Sequence, residues 1–202
     1  MALLEIKDLN VTYNTGEKRV RAVRNLSLSL DEQDSIGVVG ESGSGKSTLA
    51  MAVLRLLPAR TAEVSGEVLF KDRDVLQLDT NQLNGIRWKE IAVVFQKSMN
   101  SLSPVHRIGL QMSDIYRIHE PEATKDTIKS RILQLLSAVN LPERVYHSYP
   151  HELSRGMMQR VSIALSLVHN PDLLILDEAH YRPRCDNTRA DPGKHHAAGS
   201  QA

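Results

Sequence analysis

The sequence predicts an α/β fold in which a helical segment interrupts the strands, and three observations support this. Residues 35–39 form a short apolar run that enters a glycine-rich loop, after which residues 49–57 repeat apolar side chains at helical spacing until Pro58. Residues 91–95 and 173–176 are wholly apolar runs, typical of strands buried on both faces. From about residue 98 to 168 the apolar spacing is helical, with one apolar stripe at residues 128, 132, 135 and 139 and a second at residues 161, 164, 165 and 168. The order indicates a mainly parallel sheet with a helical insertion.

The N-terminal residues also predict strands. Apolar residues alternate roughly with polar ones near the start, and Asn14-Thr15-Gly16 follows as a turn. A second alternating run covers residues 26–30, and residues 66–70 resemble a further short strand. The apolar members of the first two runs are Leu4, Ile6, Leu9, Val11, Leu26, Leu28 and Leu30. We expect half-buried strands at both places.

Composition excludes several classes of protein. The 202 residues are enough for one domain with its own core, and the formal net charge of +1 gives no electrostatic case for nucleic acid as a partner. A single cysteine, Cys185, excludes an internal disulfide framework and fits a reducing compartment. No secretory leader is visible at residues 1–10, and no stretch approaches the roughly 18–20 apolar residues of a membrane span. We therefore expect a soluble chain whose membrane role, if it has one, comes through a partner.

The glycine-rich loop predicts a phosphate site. Residues 40–47, GESGSGKS, match the pattern G-x-x-x-x-G-K-[ST] between an expected strand and an expected helix. The glycines let backbone N–H groups point at phosphate oxygens, the lysine reaches the outer phosphates, and the serine hydroxyl can bind Mg²⁺. The loop alone does not separate kinases, GTPases, helicases and transporter ATPases. The predicted phosphate-binding residues are Gly40, Ser42, Gly43, Ser44, Gly45, Lys46, Ser47 and Thr48.

Two further motifs lie toward the C-terminus. Ser154 and Gly156 stand at the start of an expected helix, where backbone N–H groups and the helix dipole favour an anion; the alternative is a simple N-cap serine with a glycine nearby. The apolar run 173–176 ends in Asp177-Glu178, the Walker B arrangement. In that arrangement Asp177 would hold the Mg²⁺ shell and Glu178 would orient or deprotonate the attacking water.

Taken together, these motifs resemble the ATP-binding cassette (ABC) ATPase family. The order is GESGSGKST, VVFQ, ELSRGMMQR and LLILDE, and the resemblance covers residues 2–178. The stretches IAVVFQ with MNSLSP (residues 91–96 and 99–104) and YPHEL (149–153) are most similar to ATP-binding subunits of dipeptide and oligopeptide importers. The resemblance implies a P-loop NTPase core with N-terminal antiparallel β-strands and a helical subdomain insertion. It also implies an ABC ATPase domain over 1–178, with the helical subdomain at about 98–168.

The family resemblance assigns roles to individual residues. The resemblance makes Gln96 the residue that senses Mg²⁺ and the γ-phosphate. It assigns catalytic roles to Gln96, Glu178 and Lys46. It assigns metal ligation to Gln96, Ser47 and Asp177. Tyr13 occupies the position of an aromatic ring that stacks on adenine, although a lone tyrosine at a strand end is more often structural. Ser154 and Gly156 would contact ATP bound by the other protomer of a head-to-tail dimer.

By the same resemblance the expected cofactors are ATP and Mg²⁺. The expected partners are integral-membrane permease subunits, a second ATPase subunit and, indirectly, a solute-binding protein, with no nucleic acid. The expected location is cytoplasmic, on the inner face of the cell membrane.

The chain departs from the family pattern at two places. Arg155 replaces the first glycine of an LSGGQ-type signature. After Glu178 the family continues Pro-Thr-Ser/Thr-x-Leu-Asp and later supplies a switch histidine, whereas here Ala179-His180-Tyr181 follows. Residues 179–202 show no apolar periodicity, which predicts a disordered tail, resembling a frameshifted or shortened end. We therefore expect weak or absent ATP turnover and marginal stability.

Alternative functions follow from these departures. The first is a nucleotide-binding remnant without productive hydrolysis; another is a soluble ABC protein of repair or translation, which the importer-like stretch disfavours. Asp177 to His180 spells the DEAH box of helicases, but the signature before it is of ABC type. A metal cluster of His180, Cys185, His195 and His196 matches no zinc spacing.

Overall fold

The computed structural model describes residues 2–16, 18–95 and 102–177. These residues form two compact units that divide between Leu78 and Asp79. Gln96, Glu178 and the predicted tail 179–202 lie outside the described residues, so the expectations for them stay predictions, as do the domain boundaries.

The first unit contains a four-stranded antiparallel sheet. Its strands are β1 (Ala2–Asn14), β2 (Arg19–Asp31), β3 (Ala62–Phe70) and β4 (Arg73–Asp74), in the order β2-β1-β3-β4. The strands predicted at the N-terminus and at residues 66–70 are confirmed, the latter beginning four residues earlier than expected.

A bulge explains the imperfect alternation in β1. Leu4 and Ile6 are two residues apart, as are Leu9 and Val11, but the two pairs differ in parity, and all four are buried. Asp8 has a φ of 48°, and the β1–β2 and β1–β3 registers shift around it, which returns the later pair to the same face.

The bulge is accommodated by a glycine on the neighbouring strand β3. Gly66 has a φ of 103°, and a Cβ there would lie 2.6 Å from the carbonyl oxygens of both Lys7 and Asp8. A side chain at Gly66 would therefore separate β1 from β3.

Helix α1 (Lys46–Val53) follows the glycine-rich loop and buries Leu49, Ala50, Ala52 and Val53. It ends earlier than the expected stop at Pro58. Arg55 adopts a left-handed backbone with φ of 51°, which ends the helix, and its guanidinium donates a hydrogen bond to the carbonyl of Leu78.

The strand predicted at residues 35–39 is wrong for this structure. No strand is present in the described segment between β2 and α1, and Ile36, Val38 and Val39 are exposed. A strand exists through hydrogen bonds to its neighbours, and the described residues supply no ladder partner here. An apolar run gives the composition of a strand without the pairing that would form it.

The second unit contains a parallel strand pair and a group of helices. Strands β5 (Ile91–Val94) and β6 (Leu173–Leu176) pair in parallel, which confirms both predicted strands. The helices are α2 (Thr80–Ile86), α3 (Ile108–His119), α4 (Lys125–Ala138) and α5 (Arg155–Ser166), with short 3-10 helices at Glu143–His147 and Pro150–Glu152. Within the described residues no helix is long and apolar enough to cross a membrane.

The predicted helical stripes form the core of this unit. Ile128, Ile132, Leu135 and Val139 are buried, as are Val161, Ala164 and Val168, while Leu165 is only partly buried. Met112 of α3 completes the same cluster. The core therefore joins α3, α4 and α5, in agreement with the apolar spacing of the sequence.

Candidate nucleotide-binding site

The glycine-rich loop is held in shape by one glycine that the backbone requires. Gly45 is the N-cap of α1 and has a φ of 96°. A Cβ at this position would lie 2.3 Å from the carbonyl oxygen of Ala22 in β2. Left-handed backbone and close approach both demand glycine here. The sheet of the first unit thereby fixes where the loop ends and α1 begins.

The start of the loop folds against its own middle. A Cβ at Gly40 would lie 2.7 Å from the Ser44 hydroxyl oxygen, and the Ser44 N–H donates to the Glu41 carbonyl over 3.2 Å. Gly43 has a φ of 84°, while a Cβ there would meet nothing within 4 Å. A side chain at Gly40 would thus displace the Ser44 hydroxyl, which can rotate, whereas Gly43 is required by its backbone angle alone.

The ammonium group of Lys46 lies across the loop. Its Nζ donates to the carbonyl oxygens of Gly40 and Glu41 over 2.8 and 2.7 Å, and lies 3.4 Å from the Ser44 hydroxyl. Carbonyl oxygens orient an ammonium without neutralising it, unlike a carboxylate. The loop therefore presents a positive charge where an anion would enter.

The first turn of α1 adds to the same field. No side chain caps this helix, and its first turn contains no acidic residue. A helix N-terminus of this kind carries a partial positive charge and backbone N–H groups suited to phosphate. Ser47 and Thr48 lie in this turn, so the predicted hydroxyl groups stand next to the loop.

Tyr13 lies beside the first turn of α1. It stands at the end of β1, in register with Val20 of β2 and Ala62 of β3. Its hydroxyl group is 3.3 Å from the hydroxyl of Thr48, within hydrogen-bond distance. The structure thus brings Tyr13 next to Thr48 of α1, although the two are 35 positions apart in the sequence.

Asp177, the predicted Walker B residue, directly follows β6 in the second unit. Its N–H donates to the carbonyl of Val94 over 2.9 Å, which continues the β5–β6 ladder beyond the Val94–Leu176 pair. The carboxyl ends of parallel strands meet at one edge of a sheet, the usual location of ligand sites in α/β folds. Asp177 is therefore fixed by backbone pairing at that edge.

The signature residues begin α5. Ser154 is its N-cap, and its hydroxyl oxygen accepts from the Met157 N–H over 3.3 Å. Gly156 has no positive φ, and a Cβ there would meet nothing within 4 Å. Ser154 fits the simple N-cap interpretation, but among the described residues nothing in backbone or packing requires glycine at 156. Arg155 is exposed between them.

Two arginines fasten α5 to α4, which sequence reasoning did not identify. Arg160 of α5 donates to the carbonyl of Asn140, just beyond the C-terminus of α4, over 2.7 Å. Arg131 of α4 donates to the carbonyls of Leu167 and Val168, just beyond the C-terminus of α5, over 3.1 and 3.3 Å. Each guanidinium stabilises the negative dipole end of the other helix. The helix that carries Ser154 is therefore held at its middle and beyond its C-terminal end.

A histidine beyond the far end of α5 has a perturbed pKa. Burial lowers the pKa of His169 below its ordinary value, although its bond to the Ile115 carbonyl, over 3.2 Å, acts in the opposite direction. The nearby His119 ring, 4.9 Å away between centroids, contributes to the lowering. Protonation at low pH should therefore destabilise the fold around this partly buried ring.

Comparison with known proteins adds a family match. A family model described as "ABC transporter" matches residues 23–181. The chain is 40% identical over 179 residues to the oligopeptide transport ATP-binding protein OppD of Bacillus subtilis, covering 87% of this chain and 50% of that protein. It is 41% identical over 179 residues to OppD of Escherichia coli, covering 88% and 52%. The chain spans about half the length of the curated relatives it matches.

Solved structures give the same relationship. A dimeric post-hydrolysis state of the ATP-binding cassette MJ0796, bound to ADP and Pi, aligns with a TM-score of 0.78 and 30% identity, covering 88% of this chain and 75% of that chain. A second dimeric structure of MJ0796, described as a bacterial ABC transporter cassette, aligns with a TM-score of 0.77 and 30% identity, covering 87% and 74%.

Proposed function

Because the chain belongs to the ABC transporter family, with the ABC cassette fold of a P-loop NTPase, we propose that it binds Mg·ATP at residues 40–47 as the ATP-binding part of a peptide importer. The observation that carries the proposal is the loop itself. The Lys46 ammonium, oriented by two carbonyls, and the N-terminus of α1 place positive charge at one exposed spot.

The residue types of the two motifs suit a magnesium nucleotide. Hydroxyl and carboxylate oxygens, here those of Ser47 and Asp177, are the donors that Mg²⁺ prefers. Mg²⁺ would supply charge neutralisation at the phosphates. Lys46 would exchange its carbonyl contacts for phosphate oxygens, and Tyr13 would offer its ring to adenine while its hydroxyl group contacts Thr48. Gln96 would complete the metal shell, and Glu178 would orient the attacking water.

The partner proposals rest on the relatives. MJ0796 is described as dimeric, and nothing among the described residues of this chain requires glycine at position 156, which suits close approach of another molecule. We infer a head-to-tail dimer in which Ser154 and Gly156 face the ATP of the partner. The peptide-transport names of the relatives support permease subunits as partners at the inner face of the membrane, with a solute-binding protein acting indirectly.

A second candidate is nucleotide binding without productive hydrolysis. Two observations favour it: residues after Glu178 depart from the family pattern, and the apolar run that enters the loop is unpaired and exposed among the described residues. The lack of strand pairing at residues 35–39 affects where the loop lies more than it affects the hydrogen bonds within the loop. Binding and turnover can therefore be tested separately.

Calorimetric titration of Mg·ATP into the full chain tests the binding proposal. Lys46→Ala should weaken binding by about tenfold or more, because a charge-assisted contact to phosphate is lost. Lys18→Ala removes an exposed lysine outside the loop and serves as the control. No binding by a sample that is folded by circular dichroism, or equal binding by Lys46→Ala, would refute the proposal.

Phosphate release in a single turnover then separates the two candidates. Release by the wild-type chain that is lost in Glu178→Gln supports an ATPase. Binding of ATP with no release above that of Glu178→Gln supports the second candidate.

A further inference from the structure

A cavity in the second unit lies outside every motif discussed so far. It has a volume of about 280 Å³ and is formed by α3, the start of α4 and the 3-10 helix at 143–147. Among the residues that the structure describes, its lining includes three positively charged side chains and no carboxylate; the main residues are Arg107, Leu110, Arg117, Lys125, Tyr146 and His147. We propose that this cavity binds a phosphate group through Arg107, Arg117 and Lys125.

The charges converge because of helical spacing. Arg107, Leu110 and Arg117 are three and seven residues apart, which places them along one face of α3 from its N-cap to its last turn. Lys125, the first residue of α4, adds a third charge from a different element. Like charges from two helices repel one another, and a bound anion would relieve that repulsion.

These charges are little neutralised by the protein. Among the described residues, neither Arg107 nor Lys125 forms an ion pair. Arg117 has only a long contact of 3.7 Å to Asp114, with both side chains substantially exposed. Exposed pairs of this length contribute little. The guanidinium groups thus keep their capacity for the bidentate contacts that phosphate accepts.

The cavity wall is packed rather than loose. The Tyr146 ring lies so close to α3 that a Cβ at Gly109 would be 2.6 Å from it. The Arg107 guanidinium stands over the Tyr149 ring, 5.5 Å from its centroid, and the Ile108 N–H donates to the Ser148 carbonyl over 2.9 Å. These contacts orient the site before any ligand arrives.

The volume accommodates a small ligand. At roughly 30 Å³ for each water, the cavity holds about nine waters, enough for a phosphate or diphosphate group. It is smaller than the roughly 300–1,000 Å³ pockets that hold drug-sized molecules. A free phosphate compound and the headgroup of an anionic lipid share this chemistry.

Amide chemical shifts of the full chain can locate the binding. Pyrophosphate, added at constant ionic strength, should shift amides of residues 107–117, 125 and 146–147, separately from those of the loop 40–47. Arg107→Gln with Arg117→Gln should weaken the α3 response by about tenfold or more. Lys18→Gln with Arg60→Gln removes the same charge from exposed positions elsewhere and should leave the α3 response unchanged. Leu110→Glu, which places a carboxylate at the cavity without deleting a cation, should abolish the response.

Co-sedimentation with vesicles distinguishes the source of the phosphate. Binding to phosphatidylglycerol vesicles but not to phosphatidylcholine, lost in Leu110→Glu, would assign a lipid headgroup; a pyrophosphate response without vesicle binding would assign a free phosphate compound. The proposal is overturned if neither probe binds at α3, or if both cavity variants respond as the wild type does. Shifts confined to residues 40–47 would overturn it while leaving the proposed nucleotide site intact.

Discussion

Replacing Gly45 with alanine should cost far more stability than the same change at Gly43, two residues away. Both glycines have left-handed φ values, 96° and 84°, so alanine is strained at either position by roughly 1–2 kcal/mol. Only at Gly45 does the new Cβ meet the protein: it would lie 2.3 Å from the Ala22 carbonyl oxygen, whereas Cβ contacts under 3.0 Å essentially never occur. The atoms must separate by at least 0.7 Å.

Separation of α1 from β2 adds an overpacking cost of roughly 1–3 kcal/mol. We therefore expect Gly43→Ala to lower the free energy of unfolding by about 1–2 kcal/mol, and Gly45→Ala by about 2–5 kcal/mol. Urea titration followed by far-ultraviolet circular dichroism measures both values. Equal destabilisation by the two variants would show that β2 does not constrain the loop.

Three further predictions concern other contacts. Arg160→Met should lower the free energy of unfolding by roughly 1–2 kcal/mol in urea titration, because the carbonyls after α4 lose a charged donor; no change would refute the capping role. His169 has a lowered pKa when folded, so stability should be full above about pH 6.5 and fall as pH decreases below it. Urea midpoints at pH 7.5 and 5.5 should differ less in His169→Gln, and an unchanged difference would contradict this. Tyr13→Ala should weaken Mg·ATP binding by about tenfold, whereas Tyr13→Phe should leave it unchanged, because stacking on adenine needs only the ring. Equal weakening of ATP binding by both variants would indicate that the hydroxyl contact to Thr48 matters instead.

The features that sequence reasoning predicted well are local ones. The stripes on α4 and α5 follow from helical spacing alone, because burial of one helix face needs no knowledge of its partner. Helix α2 was missed although its signal is present: Asp79 and Gln82 form a capping box, each side chain accepting from the backbone N–H of the other. The short length of α2 and its lack of a continuous apolar stripe hid it.

The features that were missed depend on distant residues. The run at 35–39 has strand composition, but pairing decides whether a strand forms, and no spacing reveals pairing. The close contact between Gly45 and Ala22 involves positions 23 residues apart in the sequence. The reciprocal hydrogen bonds of Arg131 and Arg160 depend on how α4 and α5 cross. Within the site, the phosphate loop was predictable because its chemistry lies in eight consecutive residues. Gln96 and Glu178 remain predictions from the family pattern.

The reciprocal arginine contacts have a mechanical consequence. A helix tied at a single point can pivot, whereas α4 and α5 are joined at two points, from Arg160 in the middle of α5 to the carbonyl beyond α4 and from Arg131 in the middle of α4 to the carbonyls beyond α5. A force applied to α4 should therefore displace the first turn of α5 by a similar amount instead of being absorbed by rotation between the helices. Ser154 and Gly156 would then move together with α4. A protein that binds and displaces α4 would therefore also change the position of these two residues.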